Sequence, residues 1–204
     1  MKKIIVYGGT SLLSIEFIKK FDKEIDEFIV ISRNRNKNEE KTILFDEKLK
    51  KKIKFHQIDI LDLDQALSFS NSITDNSLEG IFFVMGETGD PILEINDYEK
   101  CLKNYKTNLI HPVLIINSLI PKLKKNSYIC VFTSLAGVRG RAVRLFYCSA
   151  KAGLISYLSG LRQKLQHNNI NVINVIAGYM DTEKFNYKAN NLLISKPKDV
   201  INRV

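Results

Sequence analysis

Three shortages define what this chain is not. It has only 3 cysteines among 204 residues. An odd number excludes a fully paired disulfide framework and fits a reducing compartment. Cys101, Cys130 and Cys148 lie in or beside apolar segments without metal-ligand spacing, which predicts small buried hydrophobes. Glycine (10) and proline (4) are scarce, and that argues against extensive disorder. No run reaches the ~18 apolar residues needed to span a bilayer. The nearest, residues 109–123, is interrupted by His111, Pro112, Asn117, Ser118 and Lys122. The apolar run at residues 4–6 meets Gly8 almost at once, where a secretory signal would continue. A cytoplasmic protein is expected, with the inner face of the membrane as its other setting.

What is present is a basic, otherwise ordinary globular composition. There are 31 basic and 22 acidic residues, a formal charge of +9, with 45 % hydrophobic residues. Lysine supplies most of the charge, partly in clusters at 48–52 and 122–125. Such clusters solvate loops and helix ends, or they face an anionic small molecule, a membrane or a lipid carrier. Nucleic acid is the weaker reading, because it rests on charge alone. The length suits one sizeable core, and a single domain over residues 1–204 is expected.

Short apolar runs alternate with longer periodic segments. Strands are expected at 3–7, 29–32, 54–58, 80–85, 128–134 and 171–176. Helices are expected at 12–21, with Ser11 or Thr10 as cap, and at 63–72, with Asp62 or Asp64 at its start. Two more are expected at 95–119 and 149–167. In the former, Tyr98, Leu102, Tyr105, Leu109, Val113 and Ile116 recur at three- and four-residue intervals, and Pro112 should kink it. Repeated strand–helix–strand passages imply parallel strands with right-handed crossovers. The economical architecture is a three-layer, doubly wound α/β sheet in the order 3-2-1-4-5-6.

The glycines of Tyr7-Gly8-Gly9-Thr10-Ser11, between the first strand and first helix, permit a sharp turn. They also let the backbone approach a diphosphate, with Gly8, Thr10, Ser11 and Leu12 around it. The other reading is a simple helix-starting turn. After the second strand, Ser32-Arg33-Asn34-Arg35 offers donors to a ribose 2′-phosphate, which favours NADP(H) over NAD(H); the alternative is a solvated basic loop. Asp59, beside Ile60, can accept from an adenine amino group or cap a turn. Gly86 can admit a cofactor at close range. Tyr147 and Lys151, four apart at a helix entrance, share one helical side. An ammonium there would lower the phenol pKa, which a proton donor to a carbonyl requires at neutral pH.

These segments together resemble the short-chain dehydrogenase/reductase family over nearly the whole chain. Val131-Phe132-Thr133-Ser134 with Ala136-Gly137 is similar to its strand-five serine segment, thirteen residues before Tyr147. Asn108 matches its helix asparagine, and Gly178 through Thr182 its nicotinamide-contacting segment. The resemblance implies that Tyr147 is the acid in reduction and that Lys151 lowers its pKa and binds the nicotinamide ribose. Ser134 holds the substrate oxygen, and Asn108 holds a water in a proton relay. Family members pair through the helices expected at 95–119 and 149–167, so a homodimer or homotetramer is implied.

Departures exist. Two family glycines are replaced by Leu12 and Ser14, a proline by Ala177, and only Gly86 survives clearly from the strand-four motif. A narrower resemblance, carried by Gly8-Gly9-Thr10-Ser11 and Ser134-x-Ala136-Gly137-x-Arg139-x-Arg141, is to the decaprenylphosphoryl-2-keto-ribose reductase branch and its surface-polysaccharide relatives. It implies a carrier- or nucleotide-linked keto-sugar as substrate. Arg139, Arg141 and Arg144 could then meet a phosphate, or be solvated or subunit contacts. A short lid is expected at 184–191 and a helix from Pro197. The family's seventh strand is not found after it: either the protein lacks that strand, or the sequence is a form truncated at the C-terminus. The competing function is a non-catalytic dinucleotide-binding or regulatory protein on the same fold.

Overall fold

Strands form where β-branched and aromatic residues cluster. A computed structural model describes residues 1–34, 36, 40–41, 43–88, 97–181 and 194–204. In it β1 (Lys3–Tyr7), β2 (Glu27–Ser32), β3 (Ile53–Gln57), β4 (Leu78–Phe83), β5 (Leu123–Ser134) and β6 (Asn171–Ala177) make one sheet. The order is β3-β2-β1-β4-β5-β6 and every pairing is parallel. The doubly wound arrangement expected from the alternation of elements is therefore the one found.

The sheet is covered on both faces. Successive side chains of a strand point to opposite sides, so each inner strand feeds two cores. Ile5, Tyr7, Ile81, Phe83, Ile129 and Val131 pack under α3 (Leu63–Ser72), α5 (His111–Leu119) and α6 (Leu145–Leu165). Ile4, Val6, Phe82, Cys130 and Phe132 pack under α1 (Leu12–Lys20) and α7 (Pro197–Asn202). A short α2 (Glu47–Lys50) precedes β3, and α4 (Tyr98–Tyr105) precedes α5. Ser11 caps α1 by accepting from Leu13 N, and Asp62 caps α3 by accepting from Gln65 N; both belong to the expected pairs of candidates. All three cysteines are free; Cys130 and Cys148 are buried as expected, whereas Cys101 is only half-buried.

Boundaries moved where local chemistry overrode periodicity. β5 starts five residues early and carries a register shift opposite residues 78–80. Asn126 takes a positive φ of 63° there, which an asparagine tolerates at a bulge. α6 begins at Leu145, so Tyr147 sits in its first turn. The expected long helix is divided: α4 ends at Tyr105, a π-helical turn covers Lys106–Ile110, and α5 continues from His111. Its first two expected residues lie outside the described residues, as does the expected lid at 184–191. Within the described residues the main sheet ends at β6, and β7 (Tyr179–Met180) pairs separately with β8 (Ile194–Ser195). No helix among the described residues is long and apolar enough to cross a membrane.

Candidate active site

The C-terminal ends of β1, β4, β5 and β6 lie at one edge of the sheet, the edge where a doubly wound fold places its ligand crevice. At its nucleotide end the amides of Gly8 and Gly9 both donate to Ile31 O at 3.0 Å, tying the β1–α1 turn to β2. Gly8 has φ 91°, and a Cβ there would collide with the Val84 carbonyl. Only glycine fits. The two glycines missing from the family pattern are compensated differently. The Ser14 hydroxyl is fully buried and donates to Gly8 O at 2.9 Å, holding the turn by a side-chain bond. Leu12 packs against the core under α1, so its bulk turns away from the crevice and only its backbone is left for a phosphate. Thr10 and Ser11 are half-buried beside it.

Arg33 and Asn34 are exposed at the end of β2, and Ser32 Oγ donates to Asn34 O at 3.4 Å. Asp59 Oδ1 accepts from Leu61 N at 3.0 Å, which is the turn-capping role. Ile60 is buried; His111 Nδ1 donates to its carbonyl at 2.6 Å, fastening this loop to α5. His111 had no motif to announce it.

The reactive end gathers Asn108, Ser134, Tyr147 and Lys151. Lys151 is 2 % exposed and its Nζ donates to Met85 O at 3.2 Å. Burial pulls its pKa down to about 8. Asn108 is fully buried in the π turn. Its Nδ2 donates to Glu87 O at 2.9 Å and its Oδ1 accepts from Glu87 N at 3.1 Å. The same Nδ2 reaches Asn104 O and Oδ1, each at 3.1 Å. A Cβ on Gly86 would stand 2.9 Å from both Asn108 Oδ1 and Lys151 Nζ. Only a glycine at 86 lets the Asn108 amide and the Lys151 ammonium come this close to the same stretch of backbone. Asn104 was missed in the sequence, although its i, i+4 relation to Asn108 is a legible signal.

Tyr147 is half-buried. Burial raises its phenol pKa, with Cys148 adding a smaller rise, while the Ser134 hydroxyl and the Arg144 guanidinium pull it down. The Lys151 ammonium lies over the ring, 5.8 Å from its centroid. The expected depression by Lys151 is therefore corrected: in the protein alone the net shift is upward, and the opposing cation is Arg144, one turn earlier. Ser134 Oγ accepts from Ala136 N at 3.2 Å, which aims the hydroxyl at the start of the following loop. Gly178 is exposed after β6, and Leu135 Cδ1 would lie 3.3 Å from a Cβ there. Thr182 lies outside the described residues.

A family model described as short chain dehydrogenase matches residues 2–192. The chain belongs to the short-chain dehydrogenase family. Among the relatives of this short-chain dehydrogenase is the ketoacyl reductase HetN of Nostoc sp., 33 % identical over 107 residues, covering 49 % of this chain and 37 % of HetN. Nodulation protein G of Rhizobium sp. is 27 % identical over 121 residues, covering 57 % of this chain and 45 % of the relative. The chain thus matches less than half the length of either. The 3-oxoacyl-[acyl-carrier-protein] reductase FabG of Chlamydia trachomatis is 24 % identical over 186 residues, covering 89 % and 75 %. Among solved structures, ElxO with NADPH bound superposes with a TM-score of 0.85 at 18 % identity, covering 99 % of this chain and 89 % of the other. A Burkholderia cenocepacia short chain dehydrogenase in complex with NADP gives 0.80 at 16 %, covering 99 % and 83 %. None of these relatives is named for sugar chemistry.

Proposed function

We propose that the chain is an NADP(H)-dependent reductase of a keto group, working as one domain, with Tyr147 as proton donor. The observation that carries this is the convergence of Ser134, Tyr147, Lys151 and Asn108 on the same end of the sheet as the glycine turn. The turn suits a dinucleotide: Gly8 and Gly9 hold it close against Val84 and Val30 at the start of α1, where a diphosphate would lie, and Arg33 and Asn34 stand exposed where a 2′-phosphate would lie. Related proteins hold NADPH or NADP in their structures, which supports the same preference here. Bound NADPH supplies the hydride.

The protein's own part is orientation and proton supply. The Ser134 hydroxyl holds the substrate oxygen and Tyr147 delivers its proton to that oxygen. Lys151, with a pKa of about 8, carries a transferable proton at neutral pH. It is replenished through a water that Asn108 helps to hold between Lys151 and solvent. Lys151 and Tyr147 would hold the nicotinamide ribose, and the oxidised, cationic nicotinamide would lower the phenol pKa that burial raises.

For the substrate, the keto-ketoacyl reactions named in HetN and FabG and the arginine-bearing loop before Tyr147 support a carrier-linked keto compound. A keto-sugar on a lipid or nucleotide carrier is the finer reading. We place the enzyme in the cytoplasm, with access to the inner membrane face, and as a homodimer or homotetramer joined through α4, α5 and α6, where Ile110 and Leu114 are exposed.

NADPH and NADH titrations of the full chain, followed by turnover of a small ketone, test this. NADPH should bind at least tenfold tighter, and Arg33→Glu should erase the preference. Equal affinities before mutation would remove the 2′-phosphate assignment. Tyr147→Phe should abolish turnover and leave NADPH affinity within about threefold, since it deletes only the proton donor. Undiminished turnover would sink the proton-transfer role. Tight NADPH binding with no reduction of any ketone would favour a non-catalytic, dinucleotide-sensing protein.

A further inference from the structure

A single side chain joins two segments that lie 51 residues apart in sequence. The first is the loop after β3. Ile58 N donates to Ser32 O at 3.0 Å, which sets the loop beside the end of β2, where Arg33 and Asn34 stand exposed. Asp62 N donates to Asp59 O and Leu61 N to Asp59 Oδ1, each at 3.0 Å, so the turn closes on itself. The Ile60 carbonyl points inward instead. Ile60 is 4 % exposed, and its carbonyl is met by His111 Nδ1 at 2.6 Å; His111 is itself 5 % exposed.

The second segment is the π turn over Lys106–Ile110. The backbone N–H of His111 donates to Lys106 O and closes it. Asn108 lies inside that turn and pairs with the Glu87 backbone through both ends of its carboxamide. His111 therefore shuts the turn that presents Asn108 with its backbone, and grips the loop after β3 with its ring. A carbonyl can only accept, so Nδ1 carries the hydrogen and the ring is held in that tautomer. A doubly wound sheet of this order is built from two mononucleotide-binding halves, β1–β3 and β4–β6. His111 begins α5, which follows β4, yet it holds a loop of the other half. Without the donor, the buried Ile60 carbonyl would have to move toward water, and its loop with it.

We propose that His111 is a positioning residue that couples the two halves of the crevice: an adenosine phosphate seated against the loop after β3 firms the π turn and so sets Asn108 beside Lys151. This rests on the dinucleotide reading above. A ligand shifts an equilibrium only through contacts that differ between the two states. Here the differing contact is the His111–Ile60 bond, secure when the loop is held and loosened when the loop moves. Coupling of this kind is reciprocal, so loss of the bond weakens nucleotide binding at one end and misplaces Asn108 at the other.

The experiment begins with the unmodified chain. Amide hydrogen exchange is followed by NMR with and without adenosine 2′,5′-bisphosphate, a probe of the first half alone. Two amides report on the second half: His111 N–H, bonded to Lys106 O, and Glu87 N–H, bonded to Asn108 Oδ1. Both should slow by at least about fivefold beyond the slowing of Ile129 and Val131 in β5, which follow global opening. Binding of the probe without this extra slowing overturns the coupling and leaves the reductase reading intact. No binding of the probe overturns both. Two variants assign the link to the ring. His111→Asn keeps an N–H donor at the Nδ1 position, whereas His111→Leu fills the space without one. The leucine variant should raise the Kd of NADPH and lower kcat at saturating NADPH, each by at least about tenfold. The asparagine variant should restore both to within about threefold of the parent. A lower unfolding midpoint with neither constant moved, or a change in only one of them, overturns the coupling. If the leucine variant does not fold, the exchange measurement on the unmodified chain decides by itself.

Discussion

At the scale of single residues, the most consequential is a buried cation. Lys151 is 2 % exposed and has its pKa drawn from 10.5 to about 8 by burial. The unfolded chain holds this proton to near pH 10.4, so between about pH 8 and 10 it binds more protons than the folded chain. Stability contributed by this position therefore rises with pH through that window, and the penalty is complete below about pH 8. Its full size is about 3 kcal/mol. Lys151→Met removes the charge but leaves Met85 O without its donor, which costs about 1 kcal/mol. The variant should be more stable than the parent at pH 7 by about 1–2 kcal/mol, lose that advantage by about pH 10, and show no turnover. Urea unfolding at the two pH values measures it. A less stable variant at pH 7 would mean that the folded chain stabilises the ammonium rather than tolerating it. The pair Tyr147 and Lys151 was legible in the sequence because four-residue spacing on a helix is geometry. The direction of the phenol shift was not, because it depends on how deeply the ring is buried and on which cation, Lys151 or Arg144, lies nearer its oxygen.

At the scale of elements, the informative feature is the junction of α4 and α5. A proline ring clashes with the carbonyl four residues earlier and provides no donor. For Pro112 that carbonyl belongs to Asn108. The chain answers with a π turn, in which His111 N bonds to Lys106 O. The wider turn places consecutive residues, Thr107 and Asn108, on the buried side. It also aims the Asn108 amide at Glu87 and at the Gly86 backbone beside Lys151. The sequence predicted disturbance at Pro112, since proline's effect is local. It did not predict that the disturbance would take the form of one extra residue in the turn, or that it would present Asn108 toward Glu87, because both follow from packing against β4 and α6. Replacing Pro112 by alanine allows a regular helix. We expect thermal stability to stay within about 1 kcal/mol of the parent, while kcat falls on the order of 10- to 100-fold as Asn108 swings out of register. Unchanged kcat would show that the π turn is only a packing solution. The same division between local and tertiary causes explains β5. Residues 124–126, two lysines and an asparagine, read as a loop, yet the neighbouring β4 recruits them into the strand across a bulge at Asn126.

At the scale of the whole molecule, six strands and their order were readable because alternation and right-handed crossovers leave few topologies. The condition of the sheet's edge was not, since it depends on which strands find partners. β6 reads Asn-Val-Ile-Asn-Val-Ile-Ala, uncharged throughout. Among the described residues nothing pairs with its outer side, although Arg162 Nε donates to Val172 O at 2.9 Å. Ile176 near its end is 42 % exposed. Natural edges of this kind are usually blunted by lysine, proline or a bulge, and β6 has none of them. What opposes edge-to-edge association here is the net charge of +9, a long-range repulsion that salt screens to about 10 Å at 0.1 M. Light scattering of the purified chain should therefore grow with ionic strength from 20 to 300 mM. Ile176→Lys should suppress that growth while shifting the unfolding midpoint little, because the side chain already reaches solvent. If scattering falls with added salt, or if the lysine variant aggregates as readily as the parent, the edge is not the site of association and charge is not what restrains it.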